Sequence, residues 1–207
     1  NLRSPQNYES QFLMTDTSHK AASQTLREIA SWQPGRGSAD SDLLPELSTM
    51  VARSRDLSRN HGIASGAMQT LTDNIVGTGF RLSAKPDYKL LGKTKDWEEE
   101  WQTTVEGLWR SWSETFMCDA AQSLNFHGLT TQVFKSCLIN GEALALALWL
   151  PERPVATTIQ LIEPDRLSNP NNSTDSKNLR GGVEVDRFGA PVAYYILKEH
   201  PGDYWMS

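Results

Sequence analysis

Cysteine and histidine are scarce in this chain of 207 residues, which has two cysteines and four histidines. Cys118 and Cys137 are far apart in sequence, and no histidine pair has the helical i, i+4 spacing of a zinc site. We therefore expect free thiols and no metal centre. Carboxylates at Asp40, Asp42 and Glu46 could bind a divalent cation, but a helix N-terminus, where the dipole favours them, is the simpler explanation.

The motifs that catalysis or nucleotide binding would need are also missing. Gly77-Thr78-Gly79 lacks a third glycine and follows a predicted helix, whereas a dinucleotide loop follows a strand. Gly92-Lys93-Thr94 ends like a phosphate-binding loop but has no earlier glycine to let the backbone surround a phosphate. We therefore expect no cofactor and no enzymatic activity. A monomeric hydrolase is the alternative, and it would need a pocket with convergent polar groups.

Basic residues are fewer than acidic ones. The chain has 20 lysines and arginines and 25 aspartates and glutamates, which gives a formal net charge of −5. A domain that binds phosphates tightly carries a basic face, so this balance argues against strong nucleic-acid binding. The chain also has no apolar run of membrane-spanning length and no recognisable signal peptide, so no membrane partner is expected.

The sequence predicts an arm followed by one larger domain. Residues 1–31 are polar and are predicted to form a flexible arm or a peripheral helix, and the turn-rich Trp32–Gly37 follows. Apolar residues at helical spacing predict helices over the segments 43–60, 63–77, 97–112 and 126–140, with Pro45 in a first helical turn. Asn125 is a candidate N-cap and Gly141 a candidate C-terminal turn.

Strand patterns dominate the last third of the chain. Glu142–Leu150 is apolar on both faces and predicts a strand in the centre of a sheet. Thr157–Ile162 predicts a second strand, and segments around Arg187–Ala190 predict a hairpin. An additional short strand is expected at Phe80–Ser83. Helices in the first two thirds packed on a mostly antiparallel sheet indicate an α+β fold.

Two sets of side chains are candidate contact residues. Arg53, Arg55 and Arg59 cluster on one predicted helix and could contact DNA or an acidic neighbouring subunit. Local pairing with Asp56 and other carboxylates is the simpler alternative. Four tryptophans form an aromatic stripe on the third helix and are candidates for the core or for a subunit interface, where tryptophan is favoured: Trp97, Trp101, Trp109 and Trp112.

The order of several short motifs from about Trp32 onward resembles the lambda-like family of bacteriophage portal proteins. No motif is specific alone, but their order and spacing are. They are Trp32-x-Pro34, Leu43-Leu44-Pro45, Arg53–Gly62, Asn74-Ile75-Val76-Gly77, Asn140-Gly141-Glu142, Pro164–Pro170, Asp175–Asn178 and Arg180–Val183.

The resemblance implies a structural role without catalytic residues. Such proteins form rings, typically dodecamers, at one capsid vertex of the virion, and they assemble in the bacterial host. The ring is a conduit for DNA packaging and ejection, and it contacts terminase, capsid or scaffold proteins and head-tail joining proteins. Residues 32–207 resemble the wing domain of these proteins, and the stem, clip and crown are expected after Ser207. A small phage or prophage adaptor without enzymatic activity is the alternative.

The chain is therefore expected to be a fragment of a longer protein. It starts at Asn1 rather than at methionine, and Tyr204 and Trp205 are aromatic residues that should pack against something further downstream. The negative net charge adds a second expectation, that double-stranded DNA passes the ring without being bound tightly.

Overall fold

The computed structural model describes residues 19–23 and 25–203. Most of the predicted N-terminal arm, and the aromatic pair Tyr204 and Trp205, lie outside these residues. The chain divides into two compact units, residues 1–39 and 40–207. In the first unit the described residues contain a 3₁₀ turn at Lys20–Ala22.

Helices precede strands in the second unit, as the predicted α+β order requires. Among the described residues the helices are α1 (Ala39–Leu43), α2 (Leu47–Asn60), α3 (Gly62–Ile75), α4 (Lys95–Ser113) and α5 (Phe126–Asn140). The strands are β1 (Leu144–Trp149), β2 (Thr157–Ile162), β3 (Leu179–Arg180), β4 (Val183–Val185) and β5 (Pro191–Tyr194). The α+β prediction is confirmed.

The helix ends follow local chemistry. The Thr94 side chain accepts a hydrogen bond from the backbone N–H of Trp97 and begins α4. The Asn125 carbonyl accepts from Gly128 N at 2.9 Å and begins α5, which Gly141 ends at φ 81°. These caps satisfy backbone groups that a helix end leaves unpaired. The prediction that Pro45 lies in a first helical turn is wrong, because α2 begins two residues later, after its N-cap Glu46.

The strands form two small antiparallel sheets. Among the described strands β1 pairs with β2 alone, with Leu144 opposite Ile162 and Trp149 opposite Thr157, whereas β4 lies between β3 and β5. The central position predicted for Glu142–Leu150 is therefore wrong. Its apolar residues are not all covered, since Leu146 is 39% and Trp149 72% exposed.

The additional short strand predicted at Phe80–Ser83 is wrong, because this segment is not a strand in the structure. The backbone after this segment is bonded to a helix rather than to another strand, because Ala84 N donates to the Glu106 carboxylate at 3.0 Å. Glu106 also accepts from Gln102. The Glu106 carboxylate thus joins α4 to the preceding loop.

A buried aspartate fixes the turn between α4 and α5. Asp119 is 3% exposed, and its carboxylate accepts hydrogen bonds from Ala121 N, Leu124 N and the backbone and hydroxyl of Ser123. Burial raises the pKa of Asp119, but these hydrogen bonds outweigh it and the pKa lies below its usual value. Arg153 donates to the carbonyl oxygens of Asp119 and Ala120, which fixes the same turn.

Candidate functional site

The three predicted arginines divide into one engaged and two exposed side chains. The guanidinium of Arg55 donates to both carboxylate oxygens of Asp165, at 3.0 and 2.5 Å, and its Nε donates to Asn140 Oδ1 at 2.8 Å. Arg59 is exposed and donates to the backbone oxygen of Arg55. Arg53 is exposed and has no side-chain hydrogen bond within the part of the chain that the structure describes.

Arg55 thus joins three separate elements of the fold. It lies on α2, Asn140 is the last residue of α5, and Asp165 lies in the 3₁₀ turn after β2. The expected local partner Asp56 instead accepts from Asn60 at 2.6 Å. Sequence reasoning missed Asp165 as the partner, because 110 residues separate it from Arg55.

The electrostatics of this cluster favour a fixed ion pair. The hydrogen bond with Arg55 lowers the pKa of Asp165, and the same bond raises the pKa of Arg55. His200 Nε2 lies 3.6 Å from Asp165 Oδ2. Burial raises the pKa of nearby Glu142, and the negative charge of Asp165 adds to that rise. Because the carboxylate of Asp165 is already bound by a cation, the cluster supplies a structural bridge rather than a free base.

A second polar cluster was not predicted at all. Asn169 is 8% exposed, and its amide donates to Ser173 O at 2.9 Å and to Asp175 Oδ1 at 2.8 Å. Its carbonyl accepts from Gly182 N at 2.7 Å. Gly182 has φ 81°, and a Cβ there would lie 2.6 Å from Ser168 N, so only glycine fits. The sequence did signal this cluster indirectly, because the motifs at 164–170, 175–178 and 180–183 contain Asn169, Asp175 and Gly182.

The two clusters contain residues from five of the eight ordered motifs. Arg53–Gly62, Asn140-Gly141-Glu142 and Pro164–Pro170 meet at Arg55, and the later motifs meet at Asn169. Their residues hold distant segments of the chain together.

The four tryptophans of α4 have two different environments. Trp109 and Trp112 lie with ring centroids 5.0 and 5.6 Å from that of Phe126, and Trp112 Nε1 donates to Thr157 O at 2.8 Å. This inner pair joins α4 to α5 and β2. Trp97 and Trp101 stack on each other at 6.1 Å, and Trp101 is 38% exposed. None of the four is fully buried.

A cleft of about 720 Å³ is lined by two ion pairs, Arg55 with Asp165 and Arg180 with Asp40. Apolar side chains and the polar side chains of Ser48, Asn140, Glu142 and Asp175 complete its lining. Within residues 19–23 and 25–203, no three histidine, cysteine or acidic side chains come together as a metal site. Both cysteines are free, Cys118 buried and Cys137 exposed. In the same residues no helix combines the length and apolarity needed to cross a membrane.

The comparisons with known proteins agree on one protein family. Residues 25–207 match the model described as phage portal protein, lambda family. The chain is 35% identical over 184 residues to portal protein B of Escherichia phage lambda and 35% identical over 185 residues to the portal protein of Escherichia phage N15. It is 25% identical over 193 residues to a probable portal protein of Halomonas phage phiHAP-1.

The aligned parts cover 86%, 87% and 92% of this chain but only 34%, 34% and 36% of those relatives. The chain therefore spans about a third of the length of the relatives it matches. The predicted resemblance is confirmed by the family match over residues 25–207. The chain belongs to the lambda family of phage portal proteins.

Proposed function

We propose that this chain is part of the structural subunit of a phage portal ring at the capsid vertex. Its match to portal proteins over residues 25–207 carries this proposal. In it, residues 32–207 are a wing-like domain, and the ring, a dodecamer assembled in the host cytoplasm, is the conduit for DNA packaging and ejection. Terminase, capsid or scaffold proteins and head-tail joining proteins dock on the same ring.

The exposed apolar side chains of the second unit support assembly. Among the described residues only five hydrophobic side chains are buried. Large side chains on the helices stay exposed, with Ile63 at 80%, Leu108 at 66% and Ile75 at 55%. In this proposal other subunits of the ring cover these exposed side chains. The same family match favours a ring subunit over a small adaptor.

The ring guides DNA in this proposal without holding it. The net charge of −5 repels phosphates. Arg55 is occupied by Asp165, so only Arg53 and Arg59 of the predicted cluster are exposed. Two cations release too few counterions to hold a duplex on a negative protein. Salt-dependent binding of duplex DNA to assembled rings with submicromolar affinity would contradict this part.

A non-enzymatic role agrees with the hydrogen bonding of the two carboxylates whose pKa is lowered. The carboxylates of Asp165 and Asp119 are bound by Arg55 and by backbone N–H groups, so neither is poised as a general base. The buried thiol of Cys118 has a raised pKa, mainly from burial, which keeps it protonated and unreactive.

Negative-stain electron microscopy of the complete gene product tests the ring. Rings with a central hole wide enough for duplex DNA are expected. A uniform population of monomers or dimers would refute the ring and favour the adaptor. Addition of purified terminase then tests docking, which should appear as extra density on one side of the rings.

A further inference from the structure

The cleft of about 720 Å³ is lined on one side by residues of α1 and α2 and on the other by β3, β4 and the turn after β2. The Arg55–Asp165 pair connects α2 with that turn, and the Arg180–Asp40 pair connects β3 with α1. Six of its apolar side chains remain partly accessible: Leu44, Leu47, Val51, Leu167, Val183 and Val185.

Four acidic and two basic side chains line this cleft, which gives it a formal charge of −2. Two of the carboxylates belong to the ion pairs with arginine. The carboxylate of Asp175 accepts hydrogen bonds from Asn169 Nδ2 and Gly181 N. Glu142 differs from these three, because its carboxylate has no hydrogen bond or ion pair within the part of the chain that the structure describes.

The unpaired carboxylate of Glu142 is unfavourably placed in the free protein. Glu142 is half-buried, and burial raises its pKa, to which the negative charge of Asp165 adds. Carboxylates that are removed from water usually have a cation or hydrogen-bond donors beside them. A bound ammonium or guanidinium group would supply this partner and offset the repulsion from Asp165.

We propose that this cleft binds a segment of a partner protein in which a lysine or arginine is flanked by apolar residues. The cation pairs with Glu142, and the flanking side chains contact apolar lining residues such as Leu47 and Val51. Clefts of roughly 300–1,000 Å³ hold a few side chains, so the ligand is a short segment. The negative charge of the cleft discriminates against acidic segments. This inference does not depend on the ring, because one chain supplies the whole cleft.

Binding of labelled peptides to the complete gene product tests this inference. Fluorescence anisotropy should show binding of a peptide of alternating leucine and lysine, which carries both apolar and cationic side chains. A peptide of alternating leucine and glutamate and one of alternating serine and lysine should each bind at least about tenfold more weakly, because each lacks one of these chemistries. Absence of binding by the leucine–lysine peptide, or equal binding by all three, would overturn the proposal.

Two variants locate the peptide in the cleft. Glu142→Gln removes the charge but keeps the size, and it should weaken binding of the leucine–lysine peptide about tenfold. Glu152→Gln is its control, because Glu152 is exposed, lies outside the cleft and changes the net charge equally. Val51→Thr should weaken binding roughly fourfold by removing one apolar contact group, with Val192→Thr, at a position 60% exposed, as its control. Equal effects of a variant and its control would show non-specific attraction and overturn the proposal.

The unliganded protein gives an independent readout. Because the carboxylate of Glu142 is unpaired and lies near Asp165, Glu142→Gln should leave the melting temperature unchanged or raise it. A lower melting temperature would show that Glu142 supports the fold and would overturn its assignment as a free acceptor. Peptide binding that monomers show and assembled rings lack would mean that a second copy fills the cleft, which would also overturn the proposal.

Discussion

Replacement of Asn169 should destabilise the second unit far more than replacement of another asparagine in the same loop. Asn169→Ala removes the acceptor of Gly182 N and the donor to Ser173 O and Asp175. Because Asn169 is only 8% exposed, water cannot easily replace these bonds. The matched control is Asn178→Ala, whose exposed side chain has no hydrogen bond within the described residues.

The expected loss of stability follows from the three hydrogen bonds of the Asn169 side chain. Two neutral hydrogen bonds contribute about 1 kcal/mol each, and the bond to the Asp175 carboxylate about 2 kcal/mol. We therefore expect Asn169→Ala to lower the free energy of unfolding by about 3 to 4 kcal/mol. For a chain of this size the melting temperature should fall by roughly 6–15 °C. Asn178→Ala should cost less than about 0.5 kcal/mol.

Asn169→Asp tests the direction in which stability changes with pH. It keeps the acceptor for Gly182 N but places a second carboxylate at the atom that now lies 2.8 Å from Asp175. Repulsion raises the folded-state pKa of the introduced carboxyl group at position 169, so the folded variant binds more protons than its unfolded chain. The loss of stability should be large at pH 7 and shrink as the pH falls toward about 4.

Thermal and urea unfolding followed by circular dichroism measures all three variants. Equal melting temperatures for Asn169→Ala and Asn178→Ala would refute the reasoning. An Asn169→Asp variant whose deficit is independent of pH would refute the assigned contact with Asp175.

Three further perturbations are predicted, each read from urea unfolding. Arg55→Ala should lower the free energy of unfolding by about 2 kcal/mol, because Asp165, its bonded partner, is only partly screened by water. Arg53→Ala should lower it by less than about 0.5 kcal/mol. Equal effects of the two changes would contradict the ion pair. The pKa values of Asp165 and Asp119 are lowered by folding, so stability is present above the unfolded value and is lost as the pH falls below about 4; a flat profile there would contradict both. Trp112→Phe should cost about 1 kcal/mol through loss of its bond to the backbone, and an unchanged midpoint would contradict that bond.

Much of the helical part was predictable because its signals are local. Asn125 begins α5 by capping it with its side chain, and Gly141 ends it with a positive φ that glycine readily adopts. The hairpin of β4 and β5 also appears where its turn predicts it. Phe80–Ser83 failed because a strand needs a partner, and the backbone that follows it is bonded to Glu106 instead.

The candidate site was predictable only as a set of residues. The arginine cluster was found from the sequence, but which arginine is engaged was not. Arg55 and Arg59 are four residues apart on one helix, and only the position of Asp165 distinguishes them. The polar role of Asn169 was missed because its three partners are brought together by the folding of the loop.

The sequence by itself determined the caps at Asn125 and Gly141, the α+β order, the acidic balance and the family resemblance. Each depends on neighbouring residues or on their order along the chain, which folding does not alter. Only the tertiary structure decided that Arg55 pairs with Asp165 and that β1 has a single neighbour among the described strands. It also decided that Trp101 stays partly exposed while Trp112 bonds to β2. Those outcomes depend on which distant segments pack together, because burial and long-range hydrogen bonds are properties of the folded chain.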